Sequence, residues 1–327
     1  MKVAVVHGEV PPDAPPDEQD VLVQADTLSQ TMRELGHETR TTSFGLQVQD
    51  FIDDLRGWTP DLIFNLVETV AGTARLSHLA PSVFDWMGIP YTGAPTHALY
   101  LTSHKILGKQ ALRAAGVRTP DWVSAGQARA GARLEPPYIV KSLWEDASVG
   151  LDDDSVIRDE RDLGSEVALR EARFGGEWFA EAFVEGRELN ISVLEDGDGV
   201  RVLPPAEIVF SAFPPGKPTI VGYRAKWAAD SFEYNNTPRT FDFPPGDAPL
   251  IERLTSDALR VWDVLGLRGY ARVDFRVDGA GTPLVLEVNA NPCLSPDAGF
   301  VAAVLRAGLG YHEVASCILA AALRGSR

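Results

Sequence analysis

The first ninety residues alternate short apolar strands with helices, and that alternation leaves few architectures open. Lys2–His7 is a Val-rich run, as expected of a strand buried on both faces of a parallel sheet. Over 20–35 apolar residues recur at helical spacing (Val21, Ala25, Leu28, Met32, Leu35), and Gly36 stops the run. A weak strand over 37–43, a short helix over 51–55, a strand over 61–67 and a helix near 79–87, ended by Gly88, complete the pattern. Such β-α-β order predicts an open, doubly wound α/β sheet. The Pro-rich stretch Pro11–Pro16 leaves the carboxyl end of the first strand, where open sheets of this kind place ligands.

A second unit starts near Gly93–Pro95. One helix is expected over 96–115 and ends at Gly116. Then come a strand at 138–143, a helix at 159–174 and a strand at 178–184. Residues 188–194 and 200–210 read as neighbouring antiparallel strands, 249–265 as a helix, 271–277 and 283–289 as apolar strands, and 300–309 and 312–323 as closing helices. The expected division is 1–94, 95–187 and 188–327.

Charge excludes some functions. The formal net charge is −16 and no run of five Lys or Arg occurs, so nucleic acid is a poor partner. Cys293 and Cys317 are the only cysteines and form no CxxC knuckle, which fits a reducing compartment. The N-terminal apolar run is too short for a signal peptide, and no apolar run is long enough to span a bilayer. A soluble, cytoplasmic protein is expected.

The two apolar strands near the C-terminus carry the clearest chemistry. Arg272 and Asp274 stand two apart on one, Glu287 and Asn289 two apart on the next. Residues at i and i+2 share a face of a strand. Paired as a hairpin, the strands bring Asp274, Glu287 and Asn289 together as oxygen ligands suited to Mg²⁺ and phosphate, with Arg272 beside them as a fork for a phosphoryl or acyl oxygen. A solvated strand face is the alternative, and the apolar company of Val273, Phe275, Leu284, Val285, Leu286 and Val288 argues against it. Lys141 closes the apolar strand Tyr138-Ile-Val-Lys141 ahead of the small-residue loop Ala147-Ser148-Val149-Gly150. That is a plausible phosphate clamp, or else a surface lysine before a turn. The stretch from Glu181 to Glu188 reads as an adenine slot with a carboxylate for ribose, or else as a strand and turn. Lys105, within a helix, reads on its own as a solvated lysine.

In order and spacing these stretches resemble the ATP-grasp ligases, in particular the D-alanine–D-alanine ligase branch. The resemblance rests on Gly88-Ile-Pro-Tyr-Thr-Gly93, Ser103-His-Lys105, Leu112-Arg-Ala-Ala-Gly-Val117, Tyr138-Ile-Val-Lys141, Ala147-Ser-Val-Gly150, Glu181, Glu188, Lys226-Trp227, Arg272-Val-Asp274 and Leu286-Glu-Val-Asn-Ala-Asn-Pro292. It implies an ATP-grasp fold behind an N-terminal α/β domain. The implied activity is an ADP-forming carboxylate–amine ligase that passes an acyl phosphate to an amine or other nucleophile. A genuine D-alanine–D-alanine ligase with a modified pocket and a catalytically silent ATP-binding module stay open beside it. The resemblance implies that Lys105, Lys141 and Lys226 meet ATP phosphates, that Ser148 sits in the loop closing over them, that Glu181, Ala182 and Val184 line the adenine, and that Glu188 takes the ribose. It further implies that Asp274, Glu287 and Asn289 hold two Mg²⁺ ions, for which Mn²⁺ can substitute, that Arg272 stabilises the acyl phosphate, that Glu18 grips the donor's ammonium, and that the protein is a homodimer.

The pocket departs from that branch. Ala147 removes a hydroxyl and Trp227 replaces a tyrosine on the donor side. On the acceptor side Cys293 replaces Gly, and Ala298-Gly299 replaces a Ser-Leu pair that receives a carboxylate. Asp297 adds negative charge there, which favours a cationic or uncharged acceptor. Cys293 reads as a small apolar filler or, alternatively, a nucleophile.

Overall fold

The structure, a computed structural model, describes residues 1–325. The first unit runs β1 (Lys2–Gly8), α1 (Pro16–Glu34), β2 (Glu38–Phe44), α2 (Val48–Trp58), β3 (Leu62–Leu66) and α3 (Leu79–Met87). Its three strands form a parallel sheet in the order β2-β1-β3. Alternate β1 residues face opposite layers: Val3 and Val5 pack with Val21, Leu28 and Met32 of α1, whereas Ala4 and Val6 pack with Phe51, Leu55 and Phe84 of α2 and α3. The sheet is therefore doubly wound, as the alternation implies. α1 begins four residues earlier than its apolar spacing suggests, with Pro16 at its first position and Asp17 and Glu18 in its first turn. Proline's fixed φ and the helix dipole both favour that start.

The second unit contains α4 (Thr96–Ser103), α5 (Lys105–Ala114), β4 (Trp122–Ser124), α6 (Ala125–Arg129), β5 (Tyr138–Ser142), β6 (Val156–Ile157), α7 (Leu163–Phe174) and β7 (Trp178–Ala182). Its four strands make an antiparallel sheet in the order β4-β7-β5-β6. The single helix expected over 96–115 is two helices. His104 leaves the helical region (φ −86°, ψ 91°), and its Nδ1 accepts the Leu107 backbone N–H at 3.2 Å. A capped helix therefore starts at Lys105.

The third unit contains β8 (Arg187–Asp196), β9 (Gly199–Val202), β10 (Ala206–Ile208), α8 (Tyr223–Trp227), α9 (Phe232–Asn235), β11 (Arg239–Thr240), α10 (Ala248–Leu265), β12 (Tyr270–Val277), β13 (Pro283–Asn289), α11 (Gly299–Arg306) and α12 (Tyr311–Arg324). The strand expected over 200–210 is two short ones, each pairing with β8. In this sheet Ala271, Val273, Phe275 and Val277 of β12 and Leu189, Ile191 and Val193 of β8 face the core built on α10. Period two then sends Arg272, Asp274 and Arg276 to the other face. The first and third units share one apolar cluster, in which α1 packs on α12 through Leu28, Met32, Ile318 and Leu319.

Candidate active site

One cavity of about 550 Å³ lies where the three units meet, and Glu18, Lys105, Lys141, Ser148, Glu181, Ala182, Val184, Glu188, Lys226, Arg272, Asp274, Glu287 and Asn289 all line it. Every candidate residue read from the sequence is therefore brought to one place.

β12 and β13 pair antiparallel with Arg272 opposite Asn289 and Asp274 opposite Glu287. A register shift between Asp274 and Phe275 sets Phe275 opposite Val285, as a bulge does when two residues face one. Arg272 forks onto Asp274, with Nε and Nη2 each donating at 2.7 Å. Asn190 and Asn289 donate to the two oxygens of the same carboxylate at 2.8 and 3.2 Å. Burial opposes the charge of Glu287, but Lys105, Lys141, Lys226 and Arg272 surround it and hold its carboxyl at about 2. The guanidinium of Arg272 is kept charged well above its ordinary range by Asp274, against the cost of burial.

Three lysines approach from elsewhere. Lys105, 7% exposed, donates to the Glu145 carbonyl at 2.6 Å and to Asp146 at 3.3 Å. Its burial follows from the break at His104, which turns a mid-helix lysine into a first-turn one. Lys141 pairs with Glu181 at 2.7 Å. Lys109, which sequence reading passed over, pairs with the other oxygen of Glu181 at 2.7 Å while 3% exposed. Two cations about a buried carboxylate offset its desolvation and keep Glu181 ionised. Arg276, also passed over, pairs with Glu188 at 2.9 Å and donates to the carbonyls of Gly186 and Thr219. Its position two residues beyond Asp274 was the available signal.

The loop after β5 lines the cavity. Ala147 and Ser148 take positive φ (55° and 62°), uncommon for residues with a Cβ. Gly150 has φ +67°, and a Cβ there would lie 2.5 Å from the Trp178 ring. The Ser148 hydroxyl donates to the Val221 carbonyl at 2.7 Å, and the Trp227 indole N–H donates to the Ala147 carbonyl at 3.2 Å. Trp227 thus ties the loop to α8 through its own polar atom, a role the missing phenol hydroxyl does not reveal.

The N-terminal wall is acidic. Tyr223 donates to Asp17 at 2.7 Å, and Asp20 accepts from the Ser295 hydroxyl at 2.8 Å and from the Cys293 thiol at 3.0 Å. Burial, then the charges of Glu68 and Asp20, raise the Cys293 thiol far above its usual range. Both effects disfavour the thiolate form, and the thiol serves as a donor to Asp20. Burial, then Asp17 and Glu145, raise the carboxyl of Glu18.

Asp297 does not stand alone. The Arg239 guanidinium reaches over Gly299, 3.1 Å from where a Cβ would be, and feels the charge of Asp297. The charge of Asp297, visible in the sequence, is therefore felt by a guanidinium from β11 that stands outside ion-pair distance.

The segment 109–320 matches the family model described as D-ala D-ala ligase C-terminus. That is well over half of the chain. The chain belongs to the D-Ala-D-Ala ligase family. It is accordingly an ATP-grasp, ATP-dependent ligase. A D-alanine–D-alanine ligase of Synechococcus sp. is 32% identical over 249 residues, 74% of this chain and 70% of that one. One from Gluconobacter oxydans is 28% identical over 328 residues, 99% of each chain. The crystal structure of the Bacillus anthracis D-alanine–D-alanine ligase complexed with ATP superposes with a TM-score of 0.75 at 20% identity, covering 100% of this chain and 98% of that one, which speaks for the fold. Among the described residues no helix is long and apolar enough to cross a membrane. Among them, too, no three His, Cys, Asp or Glu side chains gather as a metal site. The oxygen donors on β12 and β13 are two carboxylates and one amide.

Proposed function

We propose that this enzyme phosphorylates the carboxylate of an amino acid or related acid with ATP and passes the acyl group to an amine. The observation that carries the reading is Glu287, an ionised carboxylate ringed by Lys105, Lys141, Lys226 and Arg272 and paired across the hairpin with Asp274. A cluster of cations and hard oxygen donors on a buried strand face is what a triphosphate with a divalent ion requires. Asp274, Glu287 and Asn289 fit Mg²⁺ by donor type, and such an ion would supply charge neutralisation for the phosphates. Glu181, Ala182 and Val184 take the adenine side, Glu188 the ribose, and Lys105, Lys141 and Lys226 the phosphates, under the loop that carries Ser148. Glu18, on the acidic wall, takes a donor ammonium.

In the reaction a donor carboxylate oxygen attacks the γ-phosphorus, and the bond to the bridging oxygen breaks as ADP leaves with the electron pair. Arg272 balances the negative charge of the acyl phosphate. The amine nitrogen then attacks the carbonyl carbon, the carbon–oxygen bond to phosphate breaks, and the surplus amine proton passes to solvent. The reading takes 1–94 as the N-terminal domain, 95–187 and 188–327 as the ATP-grasp halves, a homodimer as the assembly and the cytoplasm as the compartment.

The test is ADP release with Mg²⁺, D-alanine first because the relatives' names supply it, then a panel of amino acids and amines, with hydroxylamine to trap acyl phosphate as hydroxamate. Turnover is expected with one acid–amine pair, and loss of about 10²-fold or more in Arg272→Ala and Glu287→Gln. ATP binding without ADP release across the panel would instead support a silent module.

A further inference from the structure

We propose that Arg239 seats a carboxylate on the acceptor substrate, so that the enzyme selects amino acids over plain amines. The inference rests on the ligase reading above. Arg239 opens β11, the edge strand of the six-stranded sheet, and lines the same cavity as Arg272 and Asp274. The other two arginines lining that cavity are occupied: Arg272 forks onto Asp274, and Arg276 pairs with Glu188 and two carbonyls. Arg239 has no such partner. No carboxylate among the described residues lies within ion-pair distance of it, and it donates no hydrogen bond to the protein. The acids whose charge reaches it are Asp297 and Asp274, and Asp274 is already balanced by Arg272.

A solvated guanidinium that feels the charge of a second arginine across a cavity gains when an anion joins them. The side chain is exposed on the cavity wall, and desolvation by its surroundings and then the charge of Arg272 act against its proton. The triphosphate is not the natural anion for it, because the cations acting most strongly on Glu287 are Lys105, Lys141, Lys226 and Arg272. Arg239 belongs to the α11 side, over Gly299 and within reach of the charge of Asp297. Gly299 leaves room for the guanidinium, and a side chain there would crowd it. A planar fork suits a carboxylate. Asp17, Glu18 and Asp20 at the start of α1 line the same cavity. A cavity lined by acids and holding a spare cation fits zwitterionic substrates.

The experiment compares wild type with Arg239→Ala, Arg239→Lys and Asp297→Asn. The donor is the acid that yields hydroxamate in the screen. Three nucleophiles are offered: hydroxylamine, D-alanine and D-alaninamide, the last lacking the carboxylate. Wild type is expected to favour D-alanine over its amide. Arg239→Ala should raise KM for D-alanine as acceptor about 10- to 100-fold, as loss of a charged hydrogen-bond partner does. Its hydroxamate rate, its KM for ATP and its KM for D-alaninamide should stay within about twofold of wild type. Arg239→Lys should recover part of the loss, and Asp297→Asn should lower KM for D-alanine. An equal effect on D-alanine and its amide, no effect on either, loss of hydroxamate in Arg239→Ala, or a wild-type preference for the amide would each overturn the role of Arg239. Absence of hydroxamate and of ADP from wild type would bring down the ligase reading itself, a distinguishable result.

Discussion

Glu68 shows how a single side chain in this site carries a pH signature. It lies on the acidic wall, accepts from Gln24 Nε2 at 2.9 Å, and is pushed up to about 7 by burial and then by the charges of Asp20, Asp146 and Asp17. Its folded-state value lies above its unfolded one, so the folded protein holds the proton more tightly. Stability should therefore fall as pH rises from about 4.5 to about 7 and stay lower above that. Glu68→Gln should flatten this slope and raise stability at pH 8 by about 1–3 kcal/mol, read from urea unfolding at several pH values. Glu181 is the opposite case. It is more deeply buried, 1% exposed, but flanked by Lys109 and Lys141, so it remains charged. Sequence marks both residues as acids and does not say which one has cations for neighbours.

Among the elements, the loop after β5 depends most on backbone shape. Gly150 combines a positive φ with a Trp178 ring that leaves no space for a Cβ. Gly150→Ala should cost more than about 1 kcal/mol. It should also raise KM for ATP, since Ala147 and Ser148 hang from the same turn. Thermal melts and ATP titration of turnover check the two effects separately. The helices show a different lesson. Apolar spacing over 96–115 is continuous, yet the chain breaks at His104, where a side-chain cap and the packing of Lys105 under the Glu145 carbonyl outweigh helical continuity. β12 and β13 were legible because period two separates Arg272 and Asp274 from Val273, and Glu287 and Asn289 from Val288; Val285, which period two would set beside Glu287, is turned to the core by the bulge. The bulge between them left no mark in composition.

At the scale of the whole molecule the first and last units are joined by a common core. Leu28 and Met32 of α1 pack with Ile318 and Leu319 of α12, so residues 1–94 alone would expose an apolar face. Ile318→Ala should cost about 2–5 kcal/mol by opening a cavity, and unfolding should remain one cooperative transition by both calorimetry and circular dichroism. Separate transitions would mean that the shared cluster does not couple the units. The same joint places α1, with Asp17, Glu18 and Asp20 at its start, against the loop carrying Cys293 and Ser295, which completes the cavity from residues about 275 apart.

Sequence by itself determined the strand and helix periods, the doubly wound first unit, and the four side chains on one hairpin face, because each depends on neighbours within a few residues. It also carried the family's motifs in order. Tertiary structure decided what those motifs meet. It paired Lys109 with Glu181, Arg276 with Glu188, Trp227 with the Ala147 carbonyl, and set Arg239 beside Asp297. These neighbours are 58 to 88 positions apart in the chain, and the charge state of a buried group is fixed by such neighbours rather than by its own place in the chain. The acceptor side illustrates the point: Asp297 is visible in the sequence, and Arg239, whose guanidinium feels its charge, arrives from β11.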